Sequence, residues 1–157
     1  MAERDEDLRW LRRAIELSAE ARKTGNPPFG SLLVGPDGTV LAEDRNTEYS
    51  DNDISAHPEF KLSVWAGREL DAETAAGTTM YTSCENCAMC TSALIRAGVG
   101  RVVYAMSAER LGAVRGVRPT DLKLPLREVV SRAAHEVDVV GPLIEDESAA
   151  IQDGFWD

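Results

Sequence analysis

Apolar positions recur along this chain with a helical period in some stretches and a strand period in others. In "DEDLRWLRRAIELSAEARKTG", Leu8, Leu11, Ala14, Ile15, Leu17 and Ala21 share one face. Acidic residues open that stretch and Arg22 and Lys23 close it, as the helix dipole favours. Gly25 and the pair Pro27-Pro28 stop the helix. "FGSLLVGPDGTVLAEDRN" predicts a strand over 31–34, a turn at Gly35-Pro36-Asp37-Gly38 and a strand over 39–43. A helix is predicted over 55–70, a strand in "TTMYTS", a helix over 88–97 closed by Gly98, and a strand in "RVVYAM". Residues 107–124 carry little pattern. "PLREVVSRAA" predicts a helix, "HEVDVVG" a strand, and "PLIEDESAAIQDGFW" a C-terminal helix with an aromatic end.

The order is α-ββ-α-β-α-β-α-β-α. Helices alternating with strands imply one sheet covered by helices on both faces. A length of 157 residues fits one domain over 1–157 that needs no covalent staples. The charged N-terminus, "MAERDEDLRW", does not resemble a secretory leader, and no apolar run approaches membrane-spanning length. The expected compartment is the cytoplasm, where thiols stay reduced. The net charge of −10 and the absence of a Lys/Arg run argue against extended nucleic acid as a partner. A small neutral ligand suits this balance, and no membrane partner is expected.

The chemistry is concentrated in "TSCENCAMC", which holds all three cysteines, Cys84, Cys87 and Cys90. Cys87 and Cys90, spaced C-x-x-C at the start of a helix, put both sulfurs on one face of its first turn. A helix N-terminus favours thiolates. Two thiolates do not complete a zinc site, and the chain has only two histidines, His57 and His135. His57 opens the other helix that follows a sheet element, with Glu59 two residues on. His57, Cys87 and Cys90 with one open position form the pattern of a catalytic zinc site. Zinc in such a site lowers the pKa of a bound water, and Glu59 is placed to carry that water's proton. The alternatives are a redox pair, a structural zinc site with Cys84 as fourth ligand, and a non-enzymatic zinc-stabilised binding module. His135 is read as a plain core residue.

"HPE" followed by "NCAMC" resembles the H-x-E…P-C-x-x-C signature of the cytidine/nucleobase deaminase superfamily. "PPFGSLLVGPDGTVLAEDRN", "DISAHPE", "TMYTSCENCAMCTSALIRAGVGRVVYA" and "GPLIEDESAAIQDGFW" resemble its guanine deaminase and tRNA-adenosine deaminase branch, over roughly residues 8–156. The resemblance implies a cytidine deaminase-like three-layer α/β/α sandwich with a five-stranded mixed sheet. It implies one catalytic Zn2+ per chain on His57, Cys87 and Cys90, and Glu59 as proton shuttle. It also implies base contacts from Asn46 and Phe29, a C-terminal tail closing the pocket through Trp156, and a homodimer. Asp153 is a further candidate for orienting substrate or assisting proton transfer.

Two positions depart from the branch. Pro58 replaces its usual Ala, and Asn86 replaces the proline before the first cysteine ligand. Proline is tolerated in a helix's first turn, and Asn86 is expected to cap the helix that follows. Both lie beside the pocket, so they bear on substrate identity. The expected reaction is hydrolytic deamination of a free base or related amino-substituted N-heterocycle. Guanine-like bases rank first and cytosine-type bases and aminotriazines next. Adenosine in tRNA ranks lower because of the acidic net charge.

Overall fold

The computed structural model describes residues 2–157. Helix α1 (Ala2–Lys23) leads into β1 (Gly30–Val34) and β2 (Val40–Arg45). Then come α2 (Glu48–Asp51), α3 (Pro58–Glu69), α4 (Ala72–Ala76), β3 (Thr79–Cys84) and α5 (Ala88–Ala97). The chain finishes with β4 (Arg101–Met106), α6 (Ala108–Arg115), α7 (Leu126–Val130), β5 (Asp138–Val140) and α8 (Glu145–Gln152). The five strands form one sheet in the order β2-β1-β3-β4-β5. β1 runs antiparallel to β2 and β3, whereas β3, β4 and β5 are parallel. This is the expected three-layer α/β/α sandwich with a mixed sheet.

Helices cover both sheet faces because the central strands are apolar on both sides. On one face Leu33, Met80, Val102 and Tyr104 pack with Leu62 and Ala66 of α3, Leu94 of α5 and Leu126 of α7. On the other, Leu32, Tyr81, Val103 and Ala105 pack with Leu11, Ala14 and Ile15 of α1 and with Ile151 of α8. Gly30 permits the closest approach of α1. A Cβ there would run into Leu17 and the main chain of Ala14 and Ser18. The Asp7 carboxylate, 3% exposed, pins the start of α1 to the sheet. It accepts two hydrogen bonds of 2.8 Å from Arg101 and one of 2.9 Å from Tyr81 Oη.

The differences from the sequence-based expectation are local. The helix predicted over 55–70 starts at Pro58, because Asp53 holds Ser55 in a tight turn through its N–H and hydroxyl. The patternless stretch after β4 contains α6, whose Ser107 cap accepts from Arg110 N. The helix predicted over 125–134 ends at Val130, where the chain turns so that Val137 reaches the core. The last helix is shorter than the apolar pattern, starting at Glu145 and ending at Gln152. At its end, Arg22 takes the carbonyls of Ile151 and Asp153 at 2.8 and 2.6 Å. α2 and α4 are too short to show a helical period.

His135 is not a core residue. It is exposed, and its ring bridges the Ile95 and Glu136 carbonyls at 3.0 and 3.1 Å. Its neighbours in sequence, Ala134 and Glu136, are also exposed, so no apolar surface draws it inward. No helix among the described residues is long and apolar enough to cross a membrane.

Candidate metal and catalytic site

Two helix starts converge here. His57 is the N-cap of α3 with extended backbone, and Pro58 follows at the first helical position, where its missing N–H costs nothing. Cys87 is the N-cap of α5, also extended, and Cys90 lies one turn on. Asn86 is therefore not the cap. It is buried behind the turn, with its amide nitrogen 3.6 Å from Met80 Sδ and its amide oxygen unpartnered. The extended backbone of Cys87 makes it the residue at the helix boundary, and this displaces Asn86 by one position.

His57 Nδ1 stands 3.7 Å from Cys87 Sγ and 3.4 Å from Cys90 Sγ, and the sulfurs are 3.5 Å apart. Tetrahedral zinc bonded to two sulfurs and one nitrogen needs donor separations of roughly 3.5–3.8 Å. The triangle matches that ion to within a few tenths of an ångström, and among the described residues it is the group whose donors converge so closely. Cys90 is fully buried, His57 partly exposed and Cys87 exposed, so the triangle opens toward solvent at Cys87. Cys84 is not in the triangle. It is buried, and burial, helped by the Glu59 charge, pushes its thiol well above the usual range. What separates it from Cys90 is position, since its sulfur is not among the converging donors.

The protons of the triangle are unevenly shared. Hydrogen bonding from Cys90 pulls the Cys87 thiol down to about 4 against the effect of burial, with His57 adding to the pull. The same contact, with burial, pushes Cys90 up. Burial opposes the charge on His57, but Cys87 and Glu48 outweigh it and push the ring up to about 10. A thiolate is thus stabilised at the N-terminus of α5, as metal binding requires.

The Glu59 carboxylate is 6% exposed and lies two residues along α3 from His57. Burial raises its pKa and the Cys87 charge adds to this, while His57 opposes. Its Oε1 is 3.0 Å from Ser31 Oγ on β1 and 3.3 Å from Thr82 Oγ1 on β3. The two hydroxyls lie 2.8 Å apart, and Thr82 Oγ1 is also 3.1 Å from the Cys84 carbonyl. Each hydroxyl has one proton and more than one acceptor in reach, so Oε1 gains a hydrogen bond when Ser31 or Thr82 turns its proton toward the carboxylate. Oε1 is held by the sheet, and these contacts leave Oε2 free.

Asn46 follows β2, is fully buried and donates its N–H to the Phe29 carbonyl at 3.0 Å. Its amide is joined to Glu48 by bonds of 2.6 and 2.8 Å, and Glu48 Oε1 stands 3.2 Å from His57 Nε2. Phe29 packs on the Cys84 cluster, with its ring centroid 6.3 Å from that of Trp156. Trp156 Nε1 donates to Gln152 Oε1 at 2.8 Å, and Gln152 Nε2 donates to the Pro28 carbonyl at 2.6 Å. The Arg115 and Arg118 guanidiniums lie 5.2 and 5.7 Å from the Trp156 ring. Asp153 is exposed, and its carbonyl rather than its carboxylate is engaged, by Arg22.

The structure therefore brings His57, Cys87, Cys90 and Glu59 together, places Asn46 beside them through Glu48, and sets Phe29 against Trp156. It leaves the Asp153 carboxylate outside this set of contacts. Glu48, Ser31 and Thr82 were not foreseen. The only sequence trace of Glu48 is its position two residues after Asn46, and Ser31 and Thr82 read as ordinary strand residues.

Residues 4–106 match the zinc-binding region of cytidine and deoxycytidylate deaminases. The chain is 35% identical to a probable cytosine deaminase of Schizosaccharomyces pombe, over 98% of this chain and 94% of that protein. It is 37% identical to a guanine deaminase of Bacillus subtilis, over 61% of this chain and 62% of that protein. A solved structure from a study of tRNA:A34 deaminases superposes with a TM-score of 0.73 at 27% identity. That superposition covers 92% of this chain and 99% of that one.

Proposed function

Because this chain belongs to the cytidine and deoxycytidylate deaminase zinc-binding family, we propose that it removes an amino group hydrolytically from a free nucleobase. The observation that carries this reading is the buried Glu59 carboxylate, two residues from His57, beside a three-donor triangle of zinc dimensions. When bound, zinc supplies the acidified water that serves as nucleophile. His57, Cys87 and Cys90 would hold the ion. Glu59 accepts the water's proton through Oε2 while Ser31 and Thr82 steady Oε1. It then delivers that proton to the ring nitrogen beside the carbon that carries the amino group, and helps ammonia leave. Asn46 offers the base edge an amide, and Phe29 and Trp156 cover the ring faces. Asp153, on the exposed part of the tail, would meet a substrate only from outside.

Guanine-like and cytosine-type bases stand level as substrates. The motifs around Phe29 and Cys87 favour the guanine branch. The likeness to the fungal cytosine deaminase extends over nearly the whole chain. Adenosine in tRNA ranks lower, since a net charge of −10 opposes phosphate contacts. A homodimer, action as one domain over 1–157 and a cytoplasmic location belong to the same reading, and of these only the homodimer rests on the resemblance.

The test is ammonia release by zinc-loaded protein across guanine, cytosine, isocytosine, aminotriazines, nucleosides and a tRNA anticodon stem. Turnover of one free base is expected. A silent panel would favour a zinc-stabilised binding module.

A further inference from the structure

One carboxylate touches both halves of the site. Glu48 Oε1 accepts from Asn46 Nδ2 at 2.6 Å and lies 3.2 Å from His57 Nε2. Glu48 also donates its own N–H to Asn46 Oδ1 at 2.8 Å. Glu48 and His57 side chains are each 25% exposed, so the contact is largely sheltered from solvent.

We propose that Glu48 is a positioning residue that orients His57 and Asn46 together, so that one carboxylate sets both zinc affinity and the aim of the amide offered to the base. The part concerning the base rests on the function proposed above; the part concerning zinc does not.

The argument for His57 is a matter of tautomer. Nδ1 faces the two thiols, so the proton of a metal-binding neutral ring belongs on Nε2. Glu48 Oε1 is the acceptor placed there. It fixes the rotation of the ring and makes Nδ1 the better electron donor.

For Asn46 the argument is one of counting. With its oxygen on the Glu48 N–H and its nitrogen on the Glu48 carboxylate, the amide has one allowed orientation. A flip would set N–H against N–H and oxygen against oxygen. One N–H and one oxygen lone pair then remain to meet a ring edge. The amide is pre-oriented before any base arrives, at no further entropic cost. Both effects converge on a single oxygen.

The experiment uses full-length protein and the variants E48A, E48Q and N46A. Zinc affinity is measured by competition with a chromogenic chelator. A far-UV spectrum and melting curve confirm that each variant is folded. E48A is expected to bind zinc roughly 10–100-fold more weakly. E48Q keeps a carbonyl acceptor and should lose less than tenfold. N46A should keep wild-type zinc affinity and raise KM for whichever base is turned over. E48A should show both defects.

Nitrogen-15 spectra of the imidazoles give a second reading, with His135 as the internal reference. Zinc-loaded wild type should show a single His57 tautomer protonated at Nε2, and E48A a broadened or exchanging one. Wild-type zinc affinity in folded E48A would overturn the proposal. So would a zinc defect with no change in KM, because the shared role would be absent. If wild type turns over no base, the functional reading fails, while the chelator and imidazole measurements still decide the role of Glu48 toward zinc.

Discussion

The Ser31 hydroxyl lies 3.0 Å from Glu59 Oε1, and so ties the proposed proton carrier on α3 to the first strand of the central sheet. A carboxylate that must move a proton between two partners benefits from having one oxygen anchored. Ser31→Ala should lower kcat by roughly tenfold, the loss of one hydrogen bond to a charged group. KM should change little, since Ser31 is buried beneath Glu59. Steady-state kinetics on the identified base separates the two parameters, and a change confined to KM would count against this role.

Glu59→Gln keeps the size of the side chain and removes its capacity to carry the proton. Ammonia release should fall by at least about a hundredfold. Zinc content, read by elemental analysis, should remain at one ion per chain, because Glu59 is not one of the three converging donors. Retained turnover would sink the shuttle assignment.

Cys84→Ala separates the three-donor site from a closed four-ligand one. The variant should hold one zinc per chain with unchanged affinity. It should lose about 1 kcal/mol of stability, for one small buried group removed. Loss of zinc from a folded C84A protein would make Cys84 a ligand and the site structural.

Asp7→Asn tests the anchor of α1. It leaves the Arg101 guanidinium, only 18% exposed, without its bidentate partner. Breaking a largely buried pair from one side costs about 3 kcal/mol. In a chain of this length that lowers the melting temperature by roughly 10 °C. Thermal melts of D7N and of the paired D7N/R101M variant measure it. Partial recovery is expected in the double variant, because the buried guanidinium is then gone together with its remaining contacts to Asp138 at 3.1 Å and Glu3 at 3.3 Å.

The metal-binding triangle was legible because its residue types are rare. With two histidines and three cysteines in the chain, few combinations exist, and two of the three ligands share one helical turn. Glu59 was legible by its offset from His57. The fold followed from strands apolar on both faces alternating with helices. The supporting contacts were not legible. Ser31 and Thr82 belong to different strands, and only the antiparallel β1–β3 register sets them opposite each other. Glu48 sits in a helix too short to show a period, and its value depends on where α3 begins. That beginning was misplaced because the Asp53–Ser55 turn does not alter the apolar pattern. Asn86 was given the cap that Cys87 holds, since an extended N-cap is a backbone property that side-chain type predicts poorly.

Arg22 holds the carbonyls of Ile151 and Asp153 from the last turn of α1, while Asp7 fastens the first turns to the sheet. The helix is therefore a strut clamped at both ends, one of them on the tail that carries Trp156. Local opening of such a strut cannot stay local, because releasing either clamp frees the other's load. A base bound beneath Trp156 should slow amide hydrogen exchange along the whole of α1, as far as the turn around Asp7. In Arg22→Ala that long-range protection should shrink to the residues around the site itself.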